Sequence, residues 1–133
     1  MIEWNDSYKT GHSLIDTQHK RLFEIGAEAE ALLKDEFAFD KYDDIMTVMN
    51  ELKEYTLYHF KCEEGLMEAS NYKGINAHKL IHIGFIAKIE DVLNRDIDEN
   101  QSAVLLQTLD FVIEWIIDHI KETDCYMVTE LTV

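Results

Sequence analysis

Hydrophobic residues recur along most of this chain at steps of three and four, the spacing of one buried face of an amphipathic helix. The pattern is interrupted at three places. The first is at Asp40, which is a plausible helix cap, the second is the turn sequence NYKG at 71–74, and the third is the polar run NRDIDEN at 94–100. A short capping-box sequence, SLID, opens the first segment at Ser13. The pattern therefore predicts four helices, at approximately residues 14–34, 41–69, 75–94 and 101–121.

The buried stripe of the second predicted helix contains two polar residues. Its members are Ile45, Val48, Leu52, Tyr55, His59, Glu63 and Leu66. A buried imidazole or carboxylate loses several kcal/mol of hydration unless it is paired, so His59 and Glu63 each require a partner. They could satisfy each other, because residues four apart lie on the same side of a helix. An Asp or Glu at this spacing also arises by chance in so acidic a chain, and the stretch alone leaves these interpretations open.

The other three predicted helices also direct histidines inward. Their stripes are Ile15, His19, Leu22, Gly26, Ala29 and Leu33; Ile75, His78, His82, Phe85, Ile89 and Leu93; and Leu105, Thr108, Val112, Trp115, Ile116 and His119. Short connections make neighbouring helices antiparallel, which predicts an all-α up-down-up-down four-helix bundle with an N-terminal arm and a short C-terminal extension. We expect one domain over residues 1–133, with all five of these histidines at one end of the bundle.

Composition limits the classes of function. The 133 residues are 47% hydrophobic and contain no Pro and five Gly, which favours long helices over turn-rich β structure. A net charge of −15 would repel nucleic acid and anionic membrane surfaces, so neither is an expected partner. The sequence shows neither a transmembrane run nor a secretory signal, and a cytoplasmic protein is expected. Cys62 and Cys125 have no metal-site or disulfide spacing, and we interpret them as incidental thiols.

The spacing of the inward histidines favours a metal site. His78 and His82 form an HxxxH motif, which directs two nitrogens toward one point from one helix. His59 and Glu63 add a nitrogen and a carboxylate at the same spacing, and His119 is followed five residues later by Asp124. Five residues of a regular helix turn roughly 140° beyond a full turn, so these two could not meet at one metal. We therefore expect the fourth helix to distort or end between them.

Five segments together resemble the hemerythrin family, in particular its single-domain bacterial members. They are Trp4, GHSLIDTQHKRLF at 11–23, HFKCEEGLM at 59–67, HKLIH at 78–82 and WIIDHIKETD at 115–124. The resemblance implies two non-haem irons joined by an oxo or hydroxo bridge. It places His78, His82 and His119 on one iron, His19 and His59 on the other, and Glu63 and Asp124 as bridges between them. His12 has no counterpart among the family's ligands, and we interpret it as a solvated or capping residue.

The ligand set indicates where a small molecule would bind. Five imidazoles, two bridging carboxylates and one bridging oxygen fill all but one position around two octahedral irons. The iron with only two histidines, His19 and His59, would carry the open position. The resemblance implies that dioxygen binds there reversibly as peroxide, for oxygen transport, storage or delivery rather than enzymatic turnover.

The family's apolar ligand pocket is expected beside this position. Helical spacing from the predicted ligands selects Leu22, Phe23, Phe60, Met67, Trp115 and Ile116 as its wall, with Ile116 the foremost candidate. Such a wall would exclude water and anions and so slow autoxidation. Each of these residues could equally be ordinary core.

Other functions compete for the same site. Ferritin-like di-iron oxidases use ExxH motifs, and this sequence contains none. A redox enzyme that reduces dioxygen or peroxide would need electrons from an external reductase, and an oxygen-sensing module would need a signalling output. Binding of dioxygen is therefore the leading hypothesis, and the sequence does not determine the oligomeric state.

Overall fold

The computed structural model describes residues 3–34, 42–94 and 102–131. These residues form an antiparallel four-helix bundle and contain no strand. Its helices are α1 (Ser13–Lys34), α2 (Tyr42–Ala69), α3 (Ile75–Leu93) and α4 (Ser102–Asp118), the last extended by a π-helical segment (His119–Asp124) and α5 (Cys125–Glu130). α1 packs on α2 and α4, and α2 packs on α3. The all-α bundle predicted from the sequence is confirmed.

Two details of the helix ends differ from the prediction. The cap of α1 is His12 rather than Ser13, because Ile15 N donates to His12 Nδ1 at 3.5 Å. Asp16 instead accepts from the backbone N and hydroxyl of Thr10, each at 2.8 Å, and so fixes the chain before the helix. The predicted end of the fourth helix near residue 121 is wrong, because the helix continues to Glu130. The suggested cap Asp40, residues 41 and 101, and the polar run from 95 onward lie outside the described residues.

The turn between α2 and α3 has a complete Schellman motif. Tyr72 N donates to Met67 O at 3.0 Å, Asn71 N donates to Glu68 O at 3.2 Å, and Asn71 has the left-handed φ of 53° that this cap requires. Gly74 follows, where a Cβ would lie 2.9 Å from the Tyr72 ring. Gly74 O accepts from His78 N at 3.0 Å and so forms the first turn of α3. The turn thus determines the position of His78.

The apolar core lies mostly on one side of the inward histidines. Its main cluster, along the middle of the bundle, includes Leu22, Ile25, Leu52, Phe85, Ile89 and Val112, and burying each such side chain contributes about 1.5–3 kcal/mol. A smaller cluster of Ile15, Met67 and Met127 closes the end of the bundle. The histidines lie between these two clusters. No described helix is both long enough and apolar enough to cross a membrane.

Candidate metal centre

All seven side chains that the sequence selected as metal ligands meet in one buried cluster. None exposes more than 7% of its surface, and Glu63 exposes 0%. Their potential ligand atoms form two overlapping groups, each within 4.8 Å. One group is Glu63, His78, His82, His119 and Asp124, and the other is His19, His59, Glu63 and Asp124. The two carboxylates are common to both groups.

Each shared carboxylate divides its two oxygens between the histidine groups. Glu63 Oε1 lies 2.8 Å from His59 Nε2 and 3.3 Å from His19 Nε2. Glu63 Oε2 lies 3.3 Å from His82 Nε2 and 3.5 Å from His78 Nε2. The Glu63 carboxylate therefore spans the cluster from one histidine group to the other.

Asp124 repeats this division from the last helix. Its Oδ2 lies 3.1 Å from His19 Nε2, and its Oδ1 lies 3.1 Å from Nε2 of both His78 and His119. The π-helical segment makes this possible: Cys125 N donates to Ile120 O, five residues earlier, so the turn contains an extra residue. The predicted distortion between His119 and Asp124 is confirmed, and its form is a π bulge inside a continuous helix.

The spacing of the cluster fits metal ions. His119 Nε2 lies 3.2 Å from Nε2 of both His78 and His82. Ligand atoms on one ion are separated by about 3 Å when each bond is about 2.1 Å. Glu63 Oε2 and Asp124 Oδ1 are buried without a hydrogen-bond donor, a costly arrangement that a cation between the groups would relieve. The donor set of imidazole and carboxylate suits iron.

The electrostatics of the protein groups show strong mutual dependence. Burial alone would lower the pKa of His19, but hydrogen bonds with Asp124 and Glu63 outweigh it and raise that pKa to about 9. Burial would also lower the pKa of His78, but the adjacent carboxylates of Asp124 and Glu63 outweigh it and raise that pKa to about 9. Burial opposes the charge of Glu63, but His59 and His19 hold its pKa well below the usual value. The carboxylates are thus ionised and the cluster is organised around positive charge.

Aromatic rings cover the three-histidine group. Phe60 stacks on His82 with ring centroids 3.6 Å apart, and Trp115 stacks on His119 at 4.5 Å. Trp115 stacks in turn on Phe85 at 3.9 Å. These contacts restrict rotation of the imidazoles and exclude water from their faces.

The model of the hemerythrin HHE cation-binding domain matches residues 10–131. The chain belongs to the hemerythrin family. The match includes all seven residues of the cluster, from His19 on α1 to Asp124 at the end of the π-helical segment.

Similar proteins carry hemerythrin names over nearly the same span. A bacteriohemerythrin of Clostridium acetobutylicum is 44% identical, over 93% of this chain and 96% of that protein. A bacteriohemerythrin of Pseudomonas aeruginosa is 33% identical, over 92% of this chain and 76% of that protein. A myohemerythrin of Riftia pachyptila is 29% identical, over 91% of this chain and 86% of that protein. The fold matches the crystal structure of a point mutant of a hemerythrin with a TM-score of 0.80 at 24% identity, covering 100% of this chain and 98% of that one.

A small cavity borders the hemerythrin cluster on the side of His19 and His59. Its volume is about 10 Å³, close to the least that holds one water molecule. The lining includes His19, His59, His119 and Asp124 together with Leu22, Thr56, Phe60, Trp115, Ile116 and Ile120. Four of the six predicted pocket residues therefore lie on this cavity: Leu22, Phe60, Trp115 and Ile116.

The other two predicted pocket residues lie elsewhere. Phe23 turns toward the N-terminal arm, where it stacks on Tyr8 at 5.1 Å and meets Trp4 edge-on at 5.5 Å. Met67 is buried with Ile15 and Met127 at the end of the bundle, one turn beyond Glu63. Spacing four residues from a ligand gives the correct face of the helix for each, but not the direction or depth of the side chain.

Three buried residues at the site were not selected from the sequence. Thr56 and Ile120 line the cavity, and Gln18 contacts His59. Thr56 precedes His59 by three residues and Gln18 follows Ile15 by three, so both lie on apolar stripes, where a polar residue calls for explanation. Ile120 had no such signal, because the π bulge changes which side chains face inward.

Proposed function

We propose that this protein binds dioxygen reversibly at a pair of non-haem irons, for oxygen transport, storage or delivery rather than as an enzyme. The observation that carries the proposal is the division of both buried carboxylates between two groups of histidines. A carboxylate on a single metal would bind through one oxygen or through both on the same side, whereas here the two oxygens of each carboxylate lie among different histidines. Two shared carboxylates fit two adjacent ions.

The distances support an assignment of residues to the two ions. His78, His82 and His119 would hold one iron, and His19 and His59 the other. Glu63 and Asp124 would bridge both, because each has oxygens within 3.5 Å of nitrogens in the two groups. The iron assigned to His19 and His59 would have fewer protein ligands than the other, and the small cavity borders both of these histidines.

The cavity favours a small uncharged ligand. Apart from the His and Asp residues of the cluster itself, every lining residue except Thr56 is apolar, so that side of the wall would not compensate the lost solvation of a charged or strongly hydrated ligand. Thr56 is the hydroxyl residue on the wall, and its Oγ1 donates to Leu52 O at 2.7 Å. That bond commits the hydroxyl proton to the backbone. Dioxygen is a small ligand without charge and is only weakly hydrated.

Two ferrous ions held by these residues would supply the electrons for reversible binding of dioxygen. The protein contributes position and dryness. Glu63 and Asp124 contact both histidine groups and so fix their relative positions. Phe60, Trp115 and Ile116 keep water from the cavity. Exclusion of water and anions slows irreversible oxidation.

Metal analysis and one set of spectra test the proposal. We expect two irons per chain, and we expect the reduced protein to gain colour in air and lose it again under argon. His59→Ala should abolish the reversible change, whereas His12→Ala, which removes a histidine outside the cluster, should retain it. One tightly bound zinc per chain with no iron uptake would refute the two-iron site. Direct oxidation without a reversible step, with repeated turnover of dioxygen or peroxide, would instead establish a redox enzyme.

A further inference from the structure

Gln18 forms a buried hydrogen bond behind the metal-facing side of His59. Gln18 Oε1 lies 2.6 Å from His59 Nδ1, and the two residues expose 3% and 1% of their surfaces. On the opposite edge of the same ring, His59 Nε2 faces Glu63 Oε1 at 2.8 Å. The imidazole is therefore held at both nitrogens.

We infer that Gln18 is a positioning residue that fixes the tautomer and orientation of His59 and thereby sets the properties of the iron bound by His19 and His59. This inference rests on the proposed function. A metal ion at Nε2 requires the proton on Nδ1. That proton needs an acceptor, and the amide oxygen of Gln18 provides it.

This support is uneven across the cluster. Nδ1 of His19, His78 and His82 is buried without a hydrogen-bond partner. Both histidines assigned to the open iron depend on adjacent residues of α1: His19 is a ligand itself, and Gln18 orients His59. One short stretch of α1 thus controls both imidazoles at that ion.

An amide at this place differs chemically from a carboxylate. A carboxylate would attract the Nδ1 proton more strongly and make the imidazole a more electron-rich ligand, which stabilises oxidised iron. The neutral Gln18 orients the ring with less of that effect. This suits a site that must return to its reduced form when its ligand leaves.

The side chain of Gln18 can be changed without disturbing another hydrogen bond. Its Nε2 is buried and has no partner. Gln18→Met is of similar length and removes only the bond to His59, while Gln18→Glu retains an acceptor. Thr17→Val is a matched control, because Thr17 is next to Gln18 and its hydroxyl donates to Ser13 O away from the cluster.

Titration of the metal-free full-length protein with Co²⁺ under anaerobic conditions tests the inference. We expect Gln18→Met to weaken one of the two Co²⁺ ions by about ten- to a hundredfold and leave the other unchanged. Gln18→Glu should restore the affinity and lower the reduction potential of the iron protein, and Thr17→Val should match the wild type. In the Zn²⁺ form, the downfield proton resonance of His59 Nδ1 should be lost only in Gln18→Met.

Two results for Gln18→Met would overturn the inference. The first is binding of both ions with wild-type affinity. The second is equal weakening of both ions together with a lower melting temperature of the metal-free protein, which is the effect expected of a merely structural residue. Wild-type protein that binds two Co²⁺ ions, but whose iron form shows no reversible oxygen binding, would contradict the proposed function and leave the role of Gln18 intact. Uptake of fewer than two ions by the wild type would contradict both.

Discussion

The carboxylate of Asp124 lies 3.1 Å from His119 Nε2, although the two residues are five positions apart in one continuous helix. A regular α-helix would turn Asp124 away from the cluster by roughly 140°. The π-helical segment that brings it back leaves Thr123 only partly buried, although Thr123 lies four residues after the buried His119. The bulge therefore brings the Asp124 carboxylate into the cluster.

Moving this carboxylate by one residue should not preserve the site. In a regular helix an Asp at position 123 would lie four residues after His119 and on its face. We expect Asp124→Ala to lose both irons, and we expect the double variant with Thr123→Asp to remain without them, because the π bulge turns position 123 elsewhere. Iron content of the purified variants measures this. Recovery of two irons in the double variant would show that the helix adopts regular geometry in solution.

Removal of a bridge and of a terminal ligand should have different effects. Glu63→Gln should disturb both irons, because Glu63 has one oxygen near His59 and the other near His82. His19→Ala should disturb mainly the iron assigned to His19 and His59. Metal occupancy together with the spectrum of each iron distinguishes the cases. The same partial loss of one iron in both variants would contradict the assignment of Glu63 as a bridge.

Ile116 should control autoxidation more than affinity. Ile116→Ala enlarges the cavity beside His19 and His59 and admits water or anions, so we expect faster loss of the oxygenated form with a smaller change in oxygen affinity. Spectroscopic decay in air measures the rate. Ile89→Ala is the control, since Ile89 is 1% exposed in the main core and does not line the cavity. It should cost about 2–5 kcal/mol of stability without accelerating autoxidation. Equal acceleration in both variants would show a general effect of loosened packing.

Two glycines of α3 and its preceding turn should respond oppositely to alanine. Gly74→Ala would place a Cβ 2.9 Å from the Tyr72 ring, so we expect a lower melting temperature and weaker metal binding through displaced His78. Gly84 has nothing within 4 Å of a Cβ and is exposed within the helix, so Gly84→Ala should stabilise the protein by about 0.5–1 kcal/mol. Thermal unfolding measures both. A stabilised Gly74→Ala protein would show that the Tyr72 ring moves aside at little cost.

Helical periodicity predicted much of the structure. It predicted the four helices closely and placed six of the seven clustered side chains, all except Asp124, on inward faces, because burial of a helix face depends on spacing along the sequence. The conflict between the spacing of His119 and Asp124 and regular helical geometry even revealed the bulge. Spacing could not predict how deep along the bundle a side chain lies or in which direction it points. Phe23 turns to the N-terminal arm and Met67 lies beyond the carboxylates, because long side chains follow the packing of neighbouring elements.

The contact of His19 with Asp124 has a consequence for biosynthesis. Their side chains meet at 3.1 Å, yet 105 positions (124 − 19) separate them along the chain. A ribosome-bound chain that has not yet exposed the last helix lacks Asp124 and His119, and therefore has no complete set of ligands for either ion. Under the proposed function, acquisition of metal would follow synthesis of nearly the whole bundle. The fraction of iron-loaded protein would then depend on the supply of ferrous iron after translation as well as on the rate of translation.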